Sequence, residues 1–153
     1  MYITTKGRYG TKALFELALR HGEGPVALRT IAQAQNLSEH YLEQLFGTLR
    51  RAGLVKSIRG AQGGYVLARP PEDISVGDIL RALEGPIAPT ECALHGPEYA
   101  IRYCGDSWPC VAQDVWVKVR RAIEGVVDHI TLKDLVEQDR QAKKAWAEMR
   151  AVL

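Results

Sequence analysis

The residues with the most distinctive chemistry in this 153-residue chain are three thiols, Cys92, Cys104 and Cys110. They are all of its cysteines, with eleven residues in the first gap and five in the second. Thiolates gathered on one short segment suit a soft metal centre, either zinc or an iron-sulfur cluster. The spacing matches neither the close pairs of a zinc ribbon nor the run of a ferredoxin, so three unrelated thiols, one or two of them buried, stay open as the alternative. An odd count behind an N-terminal Met-Tyr-Ile-Thr-Thr-Lys, which lacks the apolar stretch of a signal peptide, argues against a disulfide framework. No cysteine stands in a pattern with a histidine base and an orienting carboxylate, and no glycine loop would cradle a nucleotide. An enzyme with a nucleophilic cysteine is therefore the least supported class, and the chain is expected not to be an enzyme.

The second constellation is basic. Residues 1–70 carry 10 Lys/Arg against 4 Asp/Glu, whereas residues 71–153 carry 10 against 14, so the overall +2 conceals a basic half and an acidic half. Lys6, Arg8, Lys12, Arg50, Arg51, Lys56 and Arg59 supply the positive charge that a phosphate backbone needs, because binding releases condensed counterions. For any one of them a solvated surface is the plain explanation. Seven in one half favour nucleic acid, and the lack of interleaved aromatic residues favours double-stranded DNA over RNA.

The elements that must position these residues are legible in segment 28–67. A short helical pattern breaks at Gln35-Asn36, and a second helix opens at Ser38, whose hydroxyl can cap the first turn. Leu42, Leu45, Phe46 and Leu49 recur at i, i+3, i+4 and i+7 as one buried stripe, which turns Glu39, His40, Glu43, Gln44, Thr48 and Arg51 to other faces. Gly53 should end that helix in the left-handed conformation. Residues 54–58 and 65–68 read as two strands joined by Arg59-Gly60-Ala61-Gln62-Gly63-Gly64, an exposed tip carrying one arginine. The order helix, turn, helix, hairpin is that of a winged helix-turn-helix.

Elsewhere the pattern is helical. Residues 6–21 form a first helix with Ala13, Leu14, Leu17 and Ala18 on its inner face; residues 75–84 form a short one, opened by Ser75 with Asp78 and ended by Gly85-Pro86. From 111 to 127 the set Val111, Val115, Val119, Ala122, Ile123 and Val126, with Trp116 beside it, is wider than a short neighbour can cover, so a second copy of the chain is expected against it. A last helix runs from 132 to about 150. Residues 87–110, which hold the thiols, read as one long loop. The fold class is thus mainly α, a winged helix-turn-helix with a small β wing and a long C-terminal dimerisation helix. The organisation is 1–70 for DNA binding, 71–110 as connecting helix and sensor loop, and 111–153 for dimerisation. Ordinary hydrophobic (46%) and charged (25%) content and no run of membrane-spanning length point to a soluble, cytoplasmic protein with no membrane partner.

Four stretches carry a resemblance: T-T-K-G-R-Y-G at the N-terminus, N-L-S-E-H-Y-L-E-Q-L-F over the second helix, G-L-V-K-S-I-R-G-A-Q-G-G-Y-V-L over the wing and G-D-I-L-R-A-L-E-G-P-I after it. Together they resemble the Rrf-type family of bacterial regulators, the IscR, NsrR and CymR group, over nearly the whole chain. The resemblance implies a homodimeric transcription factor, usually a repressor, on a palindromic operator. It places base contacts at His40, Glu43 and Gln44 and a minor-groove contact at Arg59. Phosphate contacts then fall to Tyr9, Ser38, Tyr41, Arg50 and Arg51 beside Lys6 and Arg8, with Tyr41 divided between contact and core. The chemistry agrees: Gln bonds adenine, Glu accepts from cytosine N4, and Arg favours a narrow minor groove.

Within the family the signals divide. The DNA-binding half is most similar to the CymR type, which regulates cysteine metabolism with cysteine synthase as partner and typically without a cluster; the cysteines are similar to those of cluster-binding members, implying a 2Fe-2S cluster on Cys92, Cys104 and Cys110. Two departures concern the fourth ligand, since the family's alternatives fall on Gln113 and Arg8 here. His95 ranks first among local replacements, ahead of Glu91, Asp106 and Asp114, although a solvated histidine is its simpler reading.

Overall fold

The computed structural model describes residues 3–105 and 110–152. Helix α1 (Thr5–Leu19) starts at Thr4, whose hydroxyl accepts from the Lys6 amide, and it buries Ala13, Leu14, Leu17 and Ala18 as its periodicity requires. Helix α2 (Leu28–Gln35) stops where Asn36 enters the left-handed region at φ 52°, and α3 (Glu39–Arg51) follows within three residues. A short polar side chain tolerates that conformation better than most, and this makes the tight turn possible. Ser38 caps α3 by accepting from the Tyr41 amide, and Leu42, Leu45, Phe46 and Leu49 are buried. Gly53 takes φ +73° just past the helix end. Strands β1 (Val55–Ile58) and β2 (Gly64–Leu67) then pair antiparallel, Val55 opposite Leu67 and Ile58 opposite Gly64. The hairpin is anchored close to its turn, where Val26 and Tyr65 exchange backbone hydrogen bonds of 2.9 and 2.8 Å and Phe46 meets the Tyr65 ring edge-on.

A 3-10 turn, Pro71–Asp73, leads to α4 (Val76–Glu84). Its capping box is complete: Asp78 N donates to Ser75 Oγ at 3.0 Å and Ser75 N to Asp78 Oδ2 at 3.2 Å. Helix α4 packs on α1 and α3, with Ile79 fully buried. Where a single loop was expected between 87 and 110, there are two helices, α5 (Glu91–His95) and α6 (Pro97–Cys104), divided by Gly96 at φ +79°. Helix α5 is too short to show a period of 3.6, and α6 buries only Ala100 and so lacks an apolar stripe, which explains why the sequence pattern missed them. Helix α7 (Val111–Val127) has the expected bounds, and α8 (Leu132–Val152) returns to α1 and the 3-10 turn through buried Leu132 and Val136. One hydrophobic core therefore takes residues from α1 to α3, the wing, Ile74, α4 and the start of α8. No helix among the described residues is long and apolar enough to cross a membrane.

Candidate nucleic-acid interface and cysteine segment

The burial of the leucine stripe forces the opposite side of α3 outward. Glu39, His40, Glu43 and Gln44 are all exposed. His40 and Glu43, whose side chains are 82% and 60% exposed, meet only loosely, Nδ1 to Oε2 at 3.6 Å, and so remain available to an outside partner. Glu43 faces Gly47 in the i+4 direction, where no ion pair can form, and this contact to His40 lies on its other side. Ser38 is committed first to the α3 cap.

Basic residues are exposed on α3 and on the elements that precede and follow it. Lys6, Arg8 and Lys12 are exposed on α1, Arg50 and Arg51 on the last turn of α3, Lys56 on β1 and Arg59 at the hairpin tip. Arg51 is oriented by Thr48, Nη2 to Oγ1 at 3.0 Å, and Arg50 reaches across to Ser57 at 3.4 Å. Tyr41 is half-buried against the core and takes Tyr9 edge-on at 5.9 Å, while its hydroxyl lies 3.4 Å from that of Thr5. Arg8 sits 5.7 Å over the Tyr9 ring. The two tyrosines thus join the first turns of α1 and α3, with their rings in the packing.

The three thiols stand on different elements. Cys92 is half-buried on α5 with its sulfur 3.2 Å from Thr90 Oγ1; Cys104 is exposed at the last residue of α6; Cys110 is half-buried at the N-cap of α7. Tyr99 lies beside two of them. Desolvation, then the neighbouring Glu91, Tyr103, Cys104 and Cys92, holds its hydroxyl above the usual phenol range. Among the described residues no three His, Cys, Asp or Glu side chains converge to hold a metal ion. His95 is paired with Glu91 at 3.2 Å and stacked on Tyr99, and Asp114 is paired with Lys118 at 2.6 Å. Asp106 lies outside the described residues.

Sequence reasoning did not find what ties this segment to the rest. Gln113, buried on α7, donates to the Cys92 carbonyl at 2.9 Å, and Arg120 Nη1 to the Ala93 carbonyl at 2.7 Å. Both carbonyls belong to a helix too short to satisfy them internally. Arg120 also meets Glu124 at 3.2 Å, an i, i+4 pair that the sequence does display. Arg81 of α4 approaches Glu124 at 3.9 Å and grips Asp128 with two bonds of 2.7 and 2.8 Å, a pair 47 residues apart that no local pattern reveals. The hydrogen bond to Asp128 outweighs burial and raises Arg81, while the same bond holds the Asp128 carboxyl below the usual range.

A recognition-type helix with an outward polar face, exposed basic residues on the same unit and a hairpin after it defines a winged helix-turn-helix transcriptional regulator. The chain belongs to the Rrf2 family, described as iron-dependent transcriptional regulators, whose profile matches residues 3–138. It is 51% identical over 146 residues to the HTH-type transcriptional regulator CymR of Bacillus subtilis, covering 95% of this chain and 97% of that one. A solved structure of CymR, titled the global cysteine regulator of B. subtilis, superposes with a TM-score of 0.73 at 49% identity over 90% of this chain and 98% of that chain. The structure of T. potens IscR gives 0.75 at 48% identity, covering 93% and 90% respectively. These relatives are named as regulators rather than enzymes.

Proposed function

We propose that the protein is a homodimeric repressor that binds near-palindromic operators in double-stranded DNA and reports thiol status in the regulation of sulfur metabolism. The observation that carries the DNA-binding part is the outer face of α3, where His40, Glu43 and Gln44 are exposed, together with seven exposed basic residues on the same winged unit. In this reading the three side chains contact base edges in the major groove. Arg59 enters the minor groove, while Lys6, Arg8, Tyr9, Ser38, Tyr41, Arg50 and Arg51 meet phosphates. Residues 1–70 read DNA, 71–110 carry the signal, and 111–153 hold the dimer together in the bacterial cytoplasm. Selection of bound sequences from random DNA tests it: enrichment of an inverted repeat with half-sites about one helical turn apart, roughly 34 to 36 Å, is the expected result. Enrichment of no sequence would overturn it.

The sulfur signal follows from the likeness to CymR, and a cysteine synthase partner is part of the same proposal. A second reading, favoured by the three thiols and by the likeness to an IscR, is a 2Fe-2S cluster. The donors suit iron and sulfide chemically, but among the described residues the three thiols do not converge on one point, and this arrangement does not fit a bound cluster. Anaerobic purification separates the readings. Thiol sensing predicts a colourless protein whose operator affinity changes with oxidation and is altered in Cys104→Ala. A brown protein that loses iron on the same substitution would establish the cluster instead.

A further inference from the structure

Glu84 ends α4 against the first turn of α1. A single carboxylate oxygen, Oε1, accepts three hydrogen bonds there, from Thr4 N at 2.8 Å, Thr4 Oγ1 at 2.7 Å and Gly7 N at 2.9 Å. Amides at a helix start have no partner within the helix, and in a helix that faces DNA they are natural ligands for phosphate. Here a carboxylate from another helix takes them. The approach depends on two glycines in α1: a Cβ on Gly7 would lie 2.8 Å from Glu84 Oε1 and 2.9 Å from Leu80, and one on Gly10 would overlap Leu83. The same turn carries Lys6 and Arg8 outward, and its far side meets α3 through the Thr5 and Tyr41 hydroxyls and the Tyr9 and Tyr41 rings.

We infer that Glu84 is a positioning residue for DNA binding, holding the first turn of α1 so that Lys6 and Arg8 meet backbone phosphates in register with α3. The inference rests on the DNA-binding reading above. Burial raises the Glu84 carboxyl, but the bonds from Thr4 and Gly7 outweigh it and, with Lys6 nearby, leave it below the ordinary range, so it is ionised when DNA is bound. A carboxylate beside a phosphate-facing surface repels DNA at long range; its retention there is explained by the three bonds it makes.

The test uses the full-length protein and a labelled duplex carrying the selected operator, with an unrelated duplex of equal length, each titrated over a salt series. Glu84→Ala is expected to weaken binding to both duplexes by about 5- to 10-fold and to make the slope of log K against log salt shallower by about two, the signature of one lost phosphate contact per protomer of the dimer. Glu84→Gln, whose amide oxygen still accepts the three bonds, should stay within about twofold of wild type. Gly7→Ala keeps the carboxylate but displaces it, and should behave like Glu84→Ala; it carries the same test should Glu84→Ala fail to fold. An unchanged salt slope in Glu84→Ala or Gly7→Ala, or equal losses in the Ala and Gln variants, overturns the inference. Wild type that binds neither duplex overturns the DNA-binding reading and the inference with it.

Discussion

The face of α7 that lacks cover within one protomer makes a quantitative prediction. Val111, Val115, Trp116, Val119 and Val126 are 82, 50, 39, 37 and 57% exposed, and they fall on one continuous apolar stripe. Completing the burial of a half-exposed side chain of this size is worth about 1 kcal/mol. Ten such side chains in a two-fold interface then contribute on the order of 10 kcal/mol, against an association cost of about 4–15 kcal/mol. The stripe alone is thus close to balance, and the dimer should be sensitive to any charge placed in it. Val115→Glu with Val119→Glu puts four carboxylates into the interface, each costing several kcal/mol to desolvate. Both positions are exposed in the protomer, whereas Ile123 is partly buried beside Ile3, Leu80 and Ile87 and would disturb the monomer as well. Light scattering at micromolar concentration should report monomers with a wild-type circular dichroism spectrum, and operator titrations should lose their two-fold cooperativity. A double variant that remains dimeric would show that the subunits associate through some other surface.

Three further outcomes follow from the same geometry. Arg59→Ala should reduce affinity most for operators with A/T-rich steps under the wing, measured by titrating matched duplexes; an equal loss on every sequence would make Arg59 a phosphate anchor only. Ser75→Ala removes half of the capping box of α4 and should lower stability by about 1 kcal/mol in urea unfolding, with no change in stability marking the cap as dispensable. Arg81→Ala should cost about 1 kcal/mol or less, because both side chains of its bridge to Asp128 are 37% exposed and solvent screens them. The Asp128 carboxyl is depressed from 3.8, so the bridge contributes fully above that value and is lost as pH falls through the lower folded value. Melting curves of wild type and Arg81→Ala should differ at neutral pH and converge in acid, once the Asp128 carboxyl is protonated in the folded state; a constant gap would refute the linkage.

The sequence was informative wherever a local pattern has one structural solution. The stripe of Leu42, Leu45, Phe46 and Leu49, the caps at Ser38 and Ser75, the break at Asn36 and the glycine at 53 each act through neighbours within four residues, and each appears in the structure where the pattern placed it. Helix α5 was illegible because 5 residues give too few turns for a periodic signal, and α6, as long as α2, was illegible because it buries only Ala100 and so shows no apolar stripe, even with Pro97 at its first turn. Long-range polar contacts were illegible for a different reason. Nothing in the composition of α4 marks Arg81 for Asp128 or Glu84 for Thr4 and Gly7, since hydrogen-bond partners 47, 80 and 77 residues apart are chosen by packing.

These long-range contacts bear directly on how a signal could reach DNA. The carbonyls of Cys92 and Ala93 are held by Gln113 and Arg120, so α5 is fixed to α7 by its backbone while the half-buried Cys92 thiol meets Thr90 Oγ1 at 3.2 Å and is in no disulfide. A chemical change at the thiol must therefore act by shifting α5 against two α7 donors, one of which also contacts Glu124 and, through it, Arg81 on α4. Contact alone does not establish coupling; two arrangements of that joint with unequal DNA affinity are required. Removing Arg120 isolates the point. Arg120→Ala should leave operator affinity of the reduced protein within about twofold and abolish most of the change on oxidation, because the carbonyl of Ala93 then has no tie to the Glu124–Arg81 pair. A useful allosteric effect corresponds to about 1–3 kcal/mol, or roughly 5- to 150-fold in affinity, so the loss is measurable by the same titrations. If Arg120→Ala responds to oxidation as wild type does, the signal travels by another route, and rearrangement of α7 within the dimer becomes the better account.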